Sequence, residues 1–228
     1  MQDLYTQSQP FSQGHSVDVN KVLRNTYAML ALTLAWSAVT AGISMAMNFG
    51  FIVGIVCSLG AMGLIWFALP RTANSTAGIW VVFGFTGLLG LGLGPTLNHY
   101  MAIPGGGGLI MQALGGTALV FFALSGYVLT TGKNFSFMGG FLMAGMVVVI
   151  VASIGMLIAS LFGVNVSGFS VAISAVVVLL MSGMILYTTS DIIHGGETNY
   201  LMATASLYLA IYNLFTSLLH ILGFMSDD

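Results

Sequence analysis

Residues 190–200 read "SDIIHGGETNY" and divide two apolar runs, 171–193 and 201–224. Each run exceeds the roughly 20 mostly apolar residues that an α-helix needs to cross a bilayer. The stretch between them is short and polar, and Gly195 and Gly196 suit a turn. The pattern is that of a membrane hairpin. It also gathers scarce chemistry, because Asp191, His194 and Glu197 fall here in a chain with four Lys or Arg and six Asp or Glu.

Composition extends this reading to the whole chain. Charged residues make up 4 % of the 228 and hydrophobic residues 57 %, and the mean hydropathy is +1.00. A soluble domain carries about 25 % charge because its surface faces water. A chain this depleted in charge must face lipid instead. Thirty glycines agree, since glycine lets membrane helices approach one another closely. A net charge of −2 without a basic cluster offers no nucleic-acid surface. Cys57 is the sole cysteine, so no internal disulfide and no cysteine-based metal site is expected. The first 25 residues are polar, and the apolar run after them is too long for a signal peptide.

Seven runs qualify as spans: 26–47, 49–69, 77–97, 109–131, 137–162, 171–193 and 201–224. The breaks carry turn chemistry: "NFG", "PRTANST", "NHYMAIPGGGG", "TGKNFS", "GVNVSG" and "HGGETNY". The expected fold is an all-α integral membrane protein, a seven-helix bundle over 21–228 behind a polar, disordered tail over 1–20. "NFG" is the weakest break and reads as a tight hairpin or as one long kinked helix. Seven spans place Lys21, Arg24, Arg71 and Lys133 all on one side. The positive-inside rule then puts the N-terminus in the cytoplasm and the C-terminus outside. "SDIIHGGETNY" becomes a cytoplasmic turn.

Helix seven carries a polar stripe. Ser206, Asn213, Ser217 and His220 fall within about 60° on one face, with Ala210 in the same line. Such a stripe faces protein or water, so helix seven is expected at the centre of the bundle. The stripe reads either as the lining of an ion path or as hydrogen bonding between helices. Asp191 is the one acid inside a span, near the inner end of helix six, with Thr188 one turn earlier. It is read as an ion- or proton-sensing carboxylate or as the partner of Arg71 or Lys133 on the same side. His194 and Gly195 suit the end of helix six, and Thr198 or Asn199 the start of helix seven. A zinc site needs three or four ligands, and His15, His99 and His220 do not join His194, so no metal is assigned.

No catalytic constellation emerges. Ser125 and Ser182 are the candidate intramembrane nucleophiles, with His220 as base. Ser182 lies roughly 16 Å from the outer end of helix six and His220 about 6 Å from that of helix seven, which leaves the pair too far apart in depth. Gly87, Gly90 and Gly94 form a small-residue ridge on helix three, which Pro95 is expected to end or kink. No cofactor motif is present.

These segments resemble the Bax inhibitor-1 family, and within it a bacterial group, the YccA group. The most specific pieces are "KVLRNTYAMLALTL" at 21–34, "GFTGLLGLGLGPTLNHY" at 84–100, "ALGGTALVFFALSGYVLTT" at 113–131 and "SDIIHGGETNYLMATASLYLAIYNLF" at 190–215. The resemblance implies a seven-helix fold with the last helix central and a bacterial inner-membrane location. It also implies binding and modulation of the membrane-bound protease FtsH, with the N-terminal tail as the handle. Other members of the family are pH-gated calcium-leak channels that use two aspartates. Matching "ILYTTSDI" and "SLYLAIYN" places that pair at Thr188 and Ala210, so neither acid is present here. Like charges must lie close together to raise one carboxyl's pKa. Asp191 offers only a single carboxylate.

Overall fold

Asn48 settles the weakest break as a hairpin. It takes the left-handed conformation, φ +50°, which asparagine tolerates better than most residues. The N–H groups of Asn48 and Phe49 close back onto the carbonyls of Met45 and Ser44, ending the first helix, and Gly50 starts the second.

The computed structural model describes residues 11–226, with side chains from residue 19 onward. Among the described residues no strand occurs, and seven helices are long and apolar enough to cross a membrane. They are α1 Phe11–Ala46, apolar from Val19, α2 Phe51–Thr72, α3 Ala77–Met101 and α4 Gly106–Thr131. The remaining three are α5 Gly139–Leu161, α6 Ser167–Ile193 and α7 Tyr200–Ser226. The seven expected spans are therefore all helices. Of the tail expected over 1–20, residues 1–10 lie outside the described residues, and α1 reaches back to Phe11.

Pro95 does not end α3, which continues six residues further to Met101. Proline has no N–H to give the carbonyl four residues back, and that carbonyl belongs to Leu91. Ser44 of α1 donates its hydroxyl to Leu91 O at 2.7 Å and replaces the missing bond. A neighbouring helix thus satisfies the defect. α2 meets its own proline by another route. It widens into a π turn over Leu64–Ala68, where Leu69 N–H reaches Leu64 O, just ahead of Pro70.

α7 sits at the centre and packs against α1, α3, α4 and α6. Half of its most apolar window is buried, against 6 % for the span containing α5, which packs chiefly on α6. The most extensive helix–helix contact is between α1 and α3. A Cβ on Gly87 would meet Trp36 Nε1 at 2.6 Å, one on Gly90 would overlap the Ser37 carbonyl and Thr40, and one on Gly94 would overlap Ser44. The small-residue ridge read on α3 is the surface that admits α1.

Candidate functional site at the α6–α7 turn and on α7

The turn is built by its glycines and one asparagine. Gly195 is left-handed, φ +75°. Its N–H bonds Ile192 O at 3.2 Å, and the Gly196 N–H bonds Asp191 O at 2.9 Å, which closes α6. Asn199, not Thr198, caps α7: its Oδ1 accepts the N–H groups of Leu201 at 2.9 Å and Met202 at 3.2 Å. Its Nδ2 reaches across to Ala73 O and Asn74 Oδ1, both at 2.9 Å. One side chain therefore starts α7 and ties the turn to the α2–α3 loop. Glu197 supports it by accepting the Asn199 N–H at 2.7 Å.

Thr188 is buried and Asp191 is half-buried on α6. The Asp191 carboxylate folds against the turn, where a Cβ on Gly196 would overlap it. Arg71 and Lys133 are the cations proposed as its partners, and both are engaged elsewhere. Arg71 Nη1 donates to Phe67 O at 2.8 Å on its own helix. Lys133 Nζ donates to the Tyr127 hydroxyl at 2.8 Å, which raises its pKa above the ordinary lysine value. The structure therefore does not bring either cation to Asp191, because each finds an acceptor within six residues of its own position. Ser190, next to Asp191, is fully buried, and its Oγ accepts the Phe135 N–H at 2.8 Å, fastening the α4–α5 loop to α6. His194 Nδ1 lies 2.8 Å from Ser190 O, a contact within the helix end.

The stripe residues of α7 meet different surroundings. Ala210 and Ser217 are buried, while Ser206, Asn213 and His220 are half-buried. Asn213 spends its amide on Leu209 O at 2.8 Å, within α7 itself. His220 crosses to α6, where its Nε2 lies 3.0 Å from Ser170 Oγ. It also lines a cavity of about 720 Å³ with Asn48, Asn98, His99 and Tyr100, at the end of the bundle opposite the basic residues. His220 meets neither candidate nucleophile. Ser125 Oγ is hydrogen-bonded to the Tyr27 hydroxyl, and Ser182 donates to Val178 O at 2.8 Å.

Among the described residues, the shortest hydrogen bond from α7 to a neighbouring helix lies outside the stripe. The Tyr208 hydroxyl bonds Ser37 Oγ of α1 at 2.6 Å and Thr86 O of α3 at 3.3 Å, and its ring stands edge-on to Phe85 at 5.7 Å. Thr204, four residues earlier, reaches Thr26 O of α1 at 3.3 Å. Thr204 and Tyr208 lie one turn apart, away from the serine stripe, so α7 offers polar groups to opposite neighbours. The signal lay in "TASLY", but a tyrosine in an apolar run is easily counted as core.

A bundle of seven spanning helices wrapped on its own last helix defines a class of polytopic membrane protein. Within that class the chain belongs to the Bax inhibitor-1 family: the family described as inhibitor of apoptosis-promoting Bax1 matches residues 19–227. The chain is 51 % identical over 212 residues to the modulator of FtsH protease YccA of Escherichia coli K12, covering 93 % of this chain and 94 % of that protein. A relative from Escherichia coli O6:H1, called inner membrane protein YccA, matches to the same extent. A membrane protein of Vibrio cholerae is 49 % identical over 95 % of each chain.

Proposed function

We propose that this chain is a multi-pass protein of the bacterial inner membrane that binds and modulates the membrane protease FtsH and has no catalytic activity of its own. One observation carries the reading: the 51 % identity to a relative named as a modulator of FtsH, spanning 94 % of that relative. The four Lys and Arg residues, gathered at one end of the bundle by the helix count, support an N-terminus in the cytoplasm. In that orientation residues 1–10 and the polar first turns of α1 over 11–20 give the protease a segment to grip. Pulling on them would load α1, which packs on both α3 and the central α7, so extraction would have to break the core. Deleting residues 1–20 and following the half-life of an FtsH membrane substrate, at equal expression, tests the tail. The expected result is a change in half-life with the full chain that is lost with the shortened one; equal half-lives overturn the tail-dependent mechanism.

A pH-sensitive calcium leak has less behind it. Thr188 and Ala210, the positions matched to the paired acids, are both buried and uncharged, and among the described residues Asp191 has no second carboxylate bonded to it. Reconstituted protein in liposomes loaded with a calcium dye separates the two readings. Flux that rises as pH changes across neutrality and disappears in Asp191→Asn would favour the leak.

A further inference from the structure

Between α1 and α4 runs an apolar groove of about 520 Å³, floored by α7 through Tyr208, Ile211 and Phe215. Its walls are small where membrane helices ordinarily close up: Ala31, Ala38 and Gly42 on α1 and Ala118 on α4. A Cβ built on Gly42 meets nothing within 4 Å. The two helices meet at one end, where Tyr27 bonds Ser125 and the Tyr27 and Phe121 rings lie 6.0 Å apart. Along the rest of the groove Ala31, Ala38, Gly42 and Leu114 are exposed at the rim. Most hydroxyls in its wall are already spent inside the protein, Ser37 with Tyr208, Thr117 on Ala113 O and Tyr27 with Ser125, which leaves Tyr212 as the one lining hydroxyl without a bond among the described residues. What remains to be filled asks for hydrocarbon.

Its girth selects the occupant. The lining runs from Tyr27 to Met45 on α1 and from Ile110 to Phe122 on α4, which is roughly 18–27 Å at a helical rise of about 1.5 Å per residue. The volume spread over that length leaves a cross-section of roughly 20–30 Å², the girth of one extended alkyl chain. Charge selects the head. Arg24 lies one turn before Tyr27 on the same face of α1, exposed, with no partner among the described residues. We propose that this groove seats one acyl chain of an anionic membrane phospholipid, whose phosphate is held at Arg24.

The test reconstitutes the full chain in phosphatidylethanolamine vesicles carrying a trace of phosphatidylglycerol with a diazirine on one acyl chain. After irradiation, adducts are mapped by mass spectrometry. Adducts at 31–42 of α1 and 114–122 of α4 are expected to exceed those at 147–154 of α5 by about tenfold. Ala38→Trp fills the groove and removes the excess. The same photolipid with a zwitterionic choline headgroup labels the groove less, and Arg24→Gln makes the two headgroups equal. Labelling of wild-type protein spread evenly over α1, α4 and α5 overturns the site, a result that does not depend on Ala38→Trp folding. A groove labelled equally by both headgroups in wild type overturns the phosphate contact.

Discussion

Helices α5 and α7 are both long enough to cross a membrane, and they divide the physics of the bundle between them. The span containing α5 is the most apolar of the seven, with a mean hydropathy of 2.7 in its best window, yet 6 % of that window is buried. α7 scores 1.6 and half of its window is buried. A soluble protein shows the reverse. In a bilayer the outward face has to match lipid, so the outermost helix is the greasiest. The inner helix is free to carry Thr204, Tyr208, Asn213 and His220, because protein partners meet their polar atoms. Burial in this bundle is therefore read from polar residues, not from apolar ones.

The largest effect expected from that contrast concerns glycine. Gly90 of α3 lies against Ser37 and Thr40, while Gly155 of α5 has nothing within 4 Å of a built Cβ. Gly90→Leu should destabilise the bundle by about 3 kcal/mol, since the α1 backbone has to move. Gly155→Leu should change stability by less than about 1 kcal/mol, and in the stabilising direction. Reversible unfolding in mixed detergent measures both. Equal losses at the two sites would mean that α5 is packed against something other than lipid.

This contrast was largely legible in the sequence. Seven spans followed from hydropathy alone, and the stripe at Ser206, Asn213, Ser217 and His220 was enough to place α7 at the centre. What escaped was set by partners far away in the chain. Pro95 reads as a helix end or a kink, and the end is ruled out only because Ser44, 51 residues earlier, supplies the bond it lacks. Arg71 and Lys133 read as partners for Asp191 because they share its side of the membrane, but local acceptors at Phe67 and Tyr127 hold them. Thr198 and Asn199 looked equivalent as caps. Only the position of Ala73 and Asn74 across the turn favours the asparagine, whose second polar group can reach them.

That cap gives the next prediction, again set against α5. Met138 precedes α5 and makes no side-chain capping bond, whereas Asn199 makes two bonds into α7 and two across the turn. Asn199→Ala should therefore cost about 2 kcal/mol, and Thr198→Ala no more than about 0.5 kcal/mol. A smaller loss, about 1 kcal/mol, is expected for Tyr208→Phe, which keeps the ring against Phe85 and removes the bond to Ser37. A double-mutant cycle with Ser37→Ala isolates the pair. Additive losses would show that the 2.6 Å contact contributes nothing to stability.

The finest test asks whether burial or pairing makes a polar atom acceptable in the interior. Thr189 and Ser190 are adjacent on α6 and both fully buried. Ser190 accepts the Phe135 N–H at 2.8 Å, whereas Thr189 Oγ1 has no partner among the described residues. Ser190→Ala leaves a backbone N–H without its acceptor and should cost about 1 kcal/mol. Thr189→Val keeps the shape and removes a desolvated oxygen that bonds nothing, so stability should hold or rise by up to about 1 kcal/mol. The gain is held down because a helix separated in lipid would bury that hydroxyl too. Opposite signs at neighbouring positions would show that the hydrogen-bond partner, and not depth in the bundle, decides which polar residues the inner helices keep. A loss at Thr189→Val equal to that at Ser190→Ala would mean that Thr189 Oγ1 has a partner in the membrane after all.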